Sequence, residues 1–94
     1  MGEIQLDGVL VCRDPESAAV VRRHLPAHVA LTRGEPGCLA FDVDPSDDPF
    51  VWTVHERFSD DESFRAHQAR VAASEWGRVT SGIERRYEIR AAAD

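Results

Sequence analysis

Hydrophobic and polar residues alternate from Ile4 to Cys12, with Ile4, Leu6, Leu10 and Cys12 in phase and Gly8 between them. That period predicts a first strand. Asp14 then offers an N-cap and Pro15 a first helical position. From there Ala18, Val21, Leu25, Val29 and Thr32 keep a helical period as far as Gly34. Pro26 interrupts it, because proline removes a backbone donor and crowds the preceding turn. The expectation is a kink, or a helix ending near Leu25 and a second starting at Pro26.

Glu35-Pro36-Gly37 ends the helical region. Cys38–Asp44 predicts a second strand with Leu39, Phe41 and Val43 on one face, and Phe50–Phe58 a third. The joining turn, Pro45–Pro49, is short and built of Pro, Ser and Asp, so the pair reads as an antiparallel hairpin. Ser59-Asp60-Asp61-Glu62 has the form of a capping box with Ser59 as the cap, and the aspartates favour the positive helix start. Phe64, His67 and Val71 form an apolar stripe after it. Ser74 opens a further helical turn carrying Trp76, Val79 and Ile83. Glu84–Arg90 alternates as a last strand with Tyr87 and Ile89 inward. The order β-α-β-β-α-β predicts an α+β, ferredoxin-like fold with a four-stranded antiparallel sheet, in one domain spanning residues 1–94.

Composition adds boundaries. At 94 residues the domain is small, so a hydrophobic interface with a second subunit would supplement its core. The formal charge of −6 argues against nucleic acid or an anionic membrane as partner. No apolar run is long enough to span a bilayer, and the start of the chain lacks the basic region of a signal peptide. Met1-Gly2 has Leu6 downstream where a myristoylation site would carry Ser or Thr, so that motif fails. The default location is the cytoplasm. Cys12 and Cys38 fall within predicted strands and read as reduced thiols.

Chemistry concentrates on few residues. Glu56 is in phase with Phe50, Trp52, Val54 and Phe58, so its strand turns a carboxylate onto an apolar face. A carboxylate placed there either finds a partner, such as Arg86 on the last strand, or has its pKa raised. A raised pKa suits a general base acting on a phenol or quinol near neutral pH. His67 faces the core side of its helix and reads as a base or donor lining a pocket, or as a histidine satisfied by a backbone carbonyl or by Glu56. Trp52, Trp76 and Tyr87 read as pocket walls for a planar ligand or as plain core. His24 and His28 are four apart, but Pro26 lies between them and no acidic third ligand follows at motif spacing, so no metal site is expected. His55 points opposite Glu56 and receives no role. No nucleotide-binding or serine-hydrolase motif is present.

Leu31-Thr32-Arg33, Glu35-Pro36-Gly37-Cys38-Leu39-Ala40-Phe41, Val54-His55-Glu56-Arg57-Phe58 and Ser63-Phe64-Arg65-Ala66-His67 together resemble the antibiotic biosynthesis monooxygenase family. The likeness extends from Ile4 to Ile89. It implies a homodimer whose sheets close an α+β barrel, with a hydrophobic cavity between sheet and helices in each subunit. Several such proteins oxidise phenols or quinols with molecular oxygen and need no metal, flavin or haem. The substrate, once deprotonated, supplies the electrons, and the protein binds it and excludes water.

By this resemblance Glu56 and His67 are the catalytic candidates, and Trp52, Phe64, Trp76 and Tyr87 shape the substrate pocket. No cofactor and no metal are expected; the partners are a small aromatic substrate, oxygen and a second subunit. Haem-degrading relatives combine an asparagine, a tryptophan and a ligating histidine. This chain has no asparagine, carries His67 about where their tryptophan falls, and has Gly77, beside Trp76, about where their histidine falls. The polyketide-oxidising members use an asparagine as well. A non-catalytic ligand-binding dimer, and isomerase or haem-related chemistry on the same scaffold, are the alternative readings.

Overall fold

A computed structural model describes residues 2–91; Met1, part of the failed myristoylation motif, lies outside them. The elements occur in the predicted order: β1 (Ile4–Val11), α1 (Pro15–Arg33), β2 (Cys38–Pro45), β3 (Val51–Phe58), α2 (Asp61–Ala72), α3 (Glu75–Val79) and β4 (Glu84–Ala91). The sheet runs β2-β3-β1-β4 with every neighbouring pair antiparallel, which is the ferredoxin-like arrangement. Leu6, Leu10, Phe41, Val54 and Phe58 turn from the sheet towards Val21 and Phe64 of the helices, and all seven are buried. No helix among the described residues is long and apolar enough to cross a membrane.

Four local expectations are corrected. Helix α1 runs unbroken through Pro26, so of the two expected outcomes the break into two helices near Leu25 does not occur. Pro26 and Arg22, whose carbonyl loses its helical donor, are both exposed, so water can take over that bond. The cap of α2 is Asp60 and not Ser59: Asp60 Oδ1 accepts from the Ser63 N–H at 2.8 Å. The Ser59 N–H is engaged with the Gly37 carbonyl at 2.8 Å, which holds Ser59 in the strand end and delays the helix by one residue. Leu39 is 50% exposed, because the β2–β3 pairing shifts register between Cys38 and Ala40 and takes Leu39 out of phase with Phe41 and Val43. Ile89 pairs with Leu6 yet is 53% exposed, since β4 is an edge strand.

The cap correction is testable. Asp60→Ala should cost about 1 kcal/mol in urea denaturation, and Ser59→Ala should stay within about 0.5 kcal/mol.

Two glycines shape the surroundings of Tyr87 and Glu35. Gly8 pairs with Tyr87, and a β-carbon there would lie 2.1 Å from the Arg86 carbonyl oxygen and 2.8 Å from the Tyr87 ring. Its absence gives the Tyr87 ring room over the sheet. Gly8→Ala should destabilise by about 1–3 kcal/mol and displace Tyr87, read as a lower urea midpoint with a changed tyrosine fluorescence. Gly37 has φ +84°, a conformation glycine adopts without strain, and it reverses the chain between Glu35 and β2.

The sheet face away from the helices is charged. Arg57 donates to Glu3 at 2.8 and 2.9 Å, His55 Nδ1 lies 2.6 Å from Asp7, and Arg90 reaches Asp7 at 2.7 Å. His55, without a role from sequence, thus belongs to this ion-pair lattice.

Candidate active site

Strand β3 brings Glu56 level with Leu6 on one side and Phe41 on the other, all on the helix-covered face. Glu56 is 6% exposed, and its Oε1 has no hydrogen-bond partner among the described residues. Burial, reinforced by the negative charge of Glu35, pushes its pKa up to about 7. The expected pairing with Arg86 does not form: Arg86 donates to Glu84 on the exposed edge strand.

Helix α2 places His67, 3% exposed, with its ring against Phe58 and Phe41 at centroid distances of 4.9 and 5.7 Å. Its Nδ1 lies 2.8 Å from Glu35 Oε1 and its Nε2 3.7 Å from Glu56 Oε1. Burial lowers the His67 pKa against the opposing pull of Glu35, so the neutral imidazole is favoured near neutral pH. A carboxylate only accepts, which assigns the proton to Nδ1 and leaves the Nε2 lone pair towards Glu56. A protonated Glu56 can then donate to Nε2, so the two groups can share one proton.

Sequence reasoning missed Glu35, Arg70 and His28. Glu35 is legible in the sequence only as a helix terminator, yet it receives the Arg70 guanidinium on Oε2. Arg70 also donates to the buried Thr32 hydroxyl at 2.9 Å. His28 invites comparison with His24 as a metal pair, although its spacing from Val21, Leu25 and Thr32 belongs to the buried stripe of α1. The structure stacks His28 on Trp76, with centroids 4.5 Å apart and planes 5° from parallel. Burial, helped by the guanidinium of Arg70 and by the nearby His67 and Arg85, takes its pKa down to about 3. Its Nδ1 also lacks a partner.

These two partnerless atoms belong to residues lining one small, partly open chamber of about 40 Å³, bounded by Phe41, Trp76 and Tyr87 and, towards the surface, by the exposed Arg85 and Gln68. Tyr87 stays protonated, since burial raises its pKa to about 12. Trp76 and Tyr87 therefore line the same chamber as Glu56. Trp52 and Phe64 sit in the core, outside this chamber's lining; Phe64 packs on Phe58 at 5.7 Å. Behind the His28–Trp76 stack, between α1 and α3, is a second recess of about 80 Å³ that includes the exposed Leu31. An outer cleft of about 510 Å³ opens beside His67, lined by Glu35, Pro36, Asp60, Ser63 and Arg70.

Chemically, the chamber offers a carboxyl that titrates near neutrality, a neutral imidazole and a phenol that donates without ionising. The chemistry of these groups suits an ionisable hydroxyl. Among the described residues no cluster of three or more His, Cys, Asp or Glu side chains is arranged to hold a metal.

Comparison with solved structures places the fold among known proteins. A candidate antibiotic biosynthesis monooxygenase from Deinococcus radiodurans superposes with a TM-score of 0.76 at 19% identity, over 97% of this chain and 93% of that one. A second, from Caulobacter crescentus, gives 0.76 at 19% identity over 99% and 92%. A conserved protein of unknown function from Bacteroides thetaiotaomicron, described as a possible oxidoreductase, gives 0.76 at 16% identity over 97% and 98%. Comparison with curated proteins gave no match. The sequence itself matches the family described as antibiotic biosynthesis monooxygenase over residues 13–78, and the chain belongs to that family.

Proposed function

We propose that the protein is a cytoplasmic, single-domain homodimer that oxidises a phenolic or quinol-like small molecule with molecular oxygen, using no resident cofactor. The observation that carries this reading is the unpaired carboxyl of Glu56, held near neutral pKa against a chamber that also presents His28, Trp76 and Tyr87. Glu56 takes the hydroxyl proton of the substrate, leaving an electron-rich anion, and His67 stabilises the arrangement from Nε2. A ring carbon of that anion bonds to oxygen and is protonated to a hydroperoxide. Cleavage of the O–O bond with loss of the hydrogen on that carbon yields a quinone carbonyl and one water. One oxygen atom enters the product, and the substrate supplies all four electrons.

A benzene-sized ring needs a cavity on the order of 150 Å³. The chamber of about 40 Å³ must therefore widen, and separating the His28–Trp76 stack would join it to the recess behind. Dimerisation would involve the charged sheet face, so that interface would be more polar than a small-core argument expects.

Oxygen uptake with a panel of phenols and quinols tests the reading. Wild type should consume oxygen with at least one, and both Glu56→Gln and His67→Ala should slow it. Uptake unaffected by either substitution would remove the assignment. The alternative, a non-catalytic binding protein, predicts saturable binding of a quinol without any oxygen uptake.

A further inference from the structure

The protonated form of a base buried as deeply as Glu56 must pass its proton to water before it can accept one from a substrate. The groups around it come from every packed element: His28 from α1, His67 from α2, Arg85 and Tyr87 from β4, and Glu35 and Cys38 around the turn after α1. Of the chamber residues that also reach the surface, Gln68 has an amide that carries no acidic proton, and Arg85 holds a guanidinium that does not release one. His28 is committed to the neutral state and is buried.

One route has suitable groups throughout. Glu56 Oε1 lies 3.7 Å from His67 Nε2, and His67 Nδ1 lies 2.8 Å from Glu35 Oε1. Glu35 in turn lines the outer cleft. Side-chain exposure is 7% at Glu56, 3% at His67 and 14% at Glu35, so Glu35 is the most exposed of the three. We propose that Glu35 is the outlet of a proton path, Glu56–His67–Glu35, that connects the chamber with the outer cleft, with Arg70 and Thr32 as positioning residues. The proposal rests on Glu56 acting as a base, but the path itself exists without substrate.

Protons balance along this series. Glu56 donates its O–H proton to Nε2 of His67. His67 releases the proton of Nδ1 to the Glu35 carboxylate, and Glu35 gives it to water in the cleft. The imidazole is left with its proton on Nε2, facing the ionised Glu56, and the same steps in reverse carry a proton back from the cleft and restore the starting state. The first contact shortens by about an ångström of side-chain motion or less, which is common for catalytic hydrogen bonds seen without substrate. Arg70 holds Glu35 from its far oxygen and is itself held by Thr32, so the Oε1 edge is kept towards His67.

The test uses the intact protein with nitrogen-15 histidine and tracks exchange of the His67 ring N–H with solvent by NMR, with no substrate present. In Glu35→Gln the side chain can still accept a hydrogen bond but cannot carry a proton, so exchange should slow by about tenfold or more. In Glu35→Ala, added formate should restore the rate in proportion to its concentration, because the cleft admits a small carboxylate to the vacated place. Rescue of that kind separates proton carriage from a structural role, and covers the case in which Glu35→Gln fails to fold. Exchange as fast as wild type in a folded Glu35 variant, or a slow rate that formate leaves unchanged, would overturn the proposal. Since no turnover is needed, a failure of every phenol to be oxidised would count against the proposed function and leave this result intact.

Discussion

Glu56→Gln should reduce oxygen-dependent turnover by about 10²–10⁴-fold while the fold is retained. The reason is local. The glutamine amide keeps the shape and burial of the side chain at the centre of β3 but cannot accept the substrate's proton. The same variant should remove a pH dependence of stability. The folded pKa of Glu56, about 7, lies above its ordinary value of 4.5. The folded state therefore holds a proton that the unfolded chain has released between those pH values, and stability falls as pH rises through that window. The contribution of Glu56 to that loss is roughly 3 kcal/mol, at about 1.36 kcal/mol per pKa unit. Urea denaturation at pH 5 and pH 8 checks it: the wild-type midpoint should drop at pH 8 more than that of Glu56→Gln. Loss of turnover without that difference would mean that Glu56 is already ionised at low pH, and the base assignment would need another origin.

His28 produces the opposite slope. Its folded pKa, about 3, lies below the ordinary 6.5, so the unfolded chain takes up a proton first as pH falls. Its contribution is complete above about pH 6.5 and is lost towards pH 3, by roughly 4–5 kcal/mol over the whole range. In wild type the Glu56 and His28 slopes nearly cancel between pH 4.5 and 6.5. In the Glu56→Gln background the acid slope stands alone, and adding His28→Phe should abolish most of it. The exposed carboxylates that also titrate there, such as Glu3 and Asp7, are common to both variants. An acid slope unchanged by His28→Phe would show that His28 is protonated in the folded state and does not stack as a neutral ring on Trp76.

Much of this architecture is legible in the chain because it is local. The alternation around Gly8, the Asp14-Pro15 start and the helical period to Thr32 each act over a few residues, and the structure reproduces them. Glu56 and His67 can be placed on apolar faces from phase alone, and both are buried. Phase does not show which partner each meets. Glu35 reaches His67 because Gly37 reverses the chain, a relation across 32 residues. The register shift that exposes Leu39, and the commitment of the Ser59 N–H to Gly37, are likewise properties of strand pairing. Trp52 and Phe64 show the same limit: their phase predicts burial correctly, but not that the chamber forms elsewhere, at Trp76 and Tyr87.

If burial tunes Glu56 into a base for an ionisable hydroxyl, the pH dependence of kcat/KM for oxygen uptake must carry its signature. The measurement uses a phenol whose own pKa is near the ordinary phenolic value of about 10. The rate constant should rise with an apparent pKa near 7 and reach a plateau above it. Glu56→Gln should lack that step, its residual rate tracking the phenol's own ionisation. A wild-type profile that rises only with the phenol's own pKa would show that Glu56 is not the base.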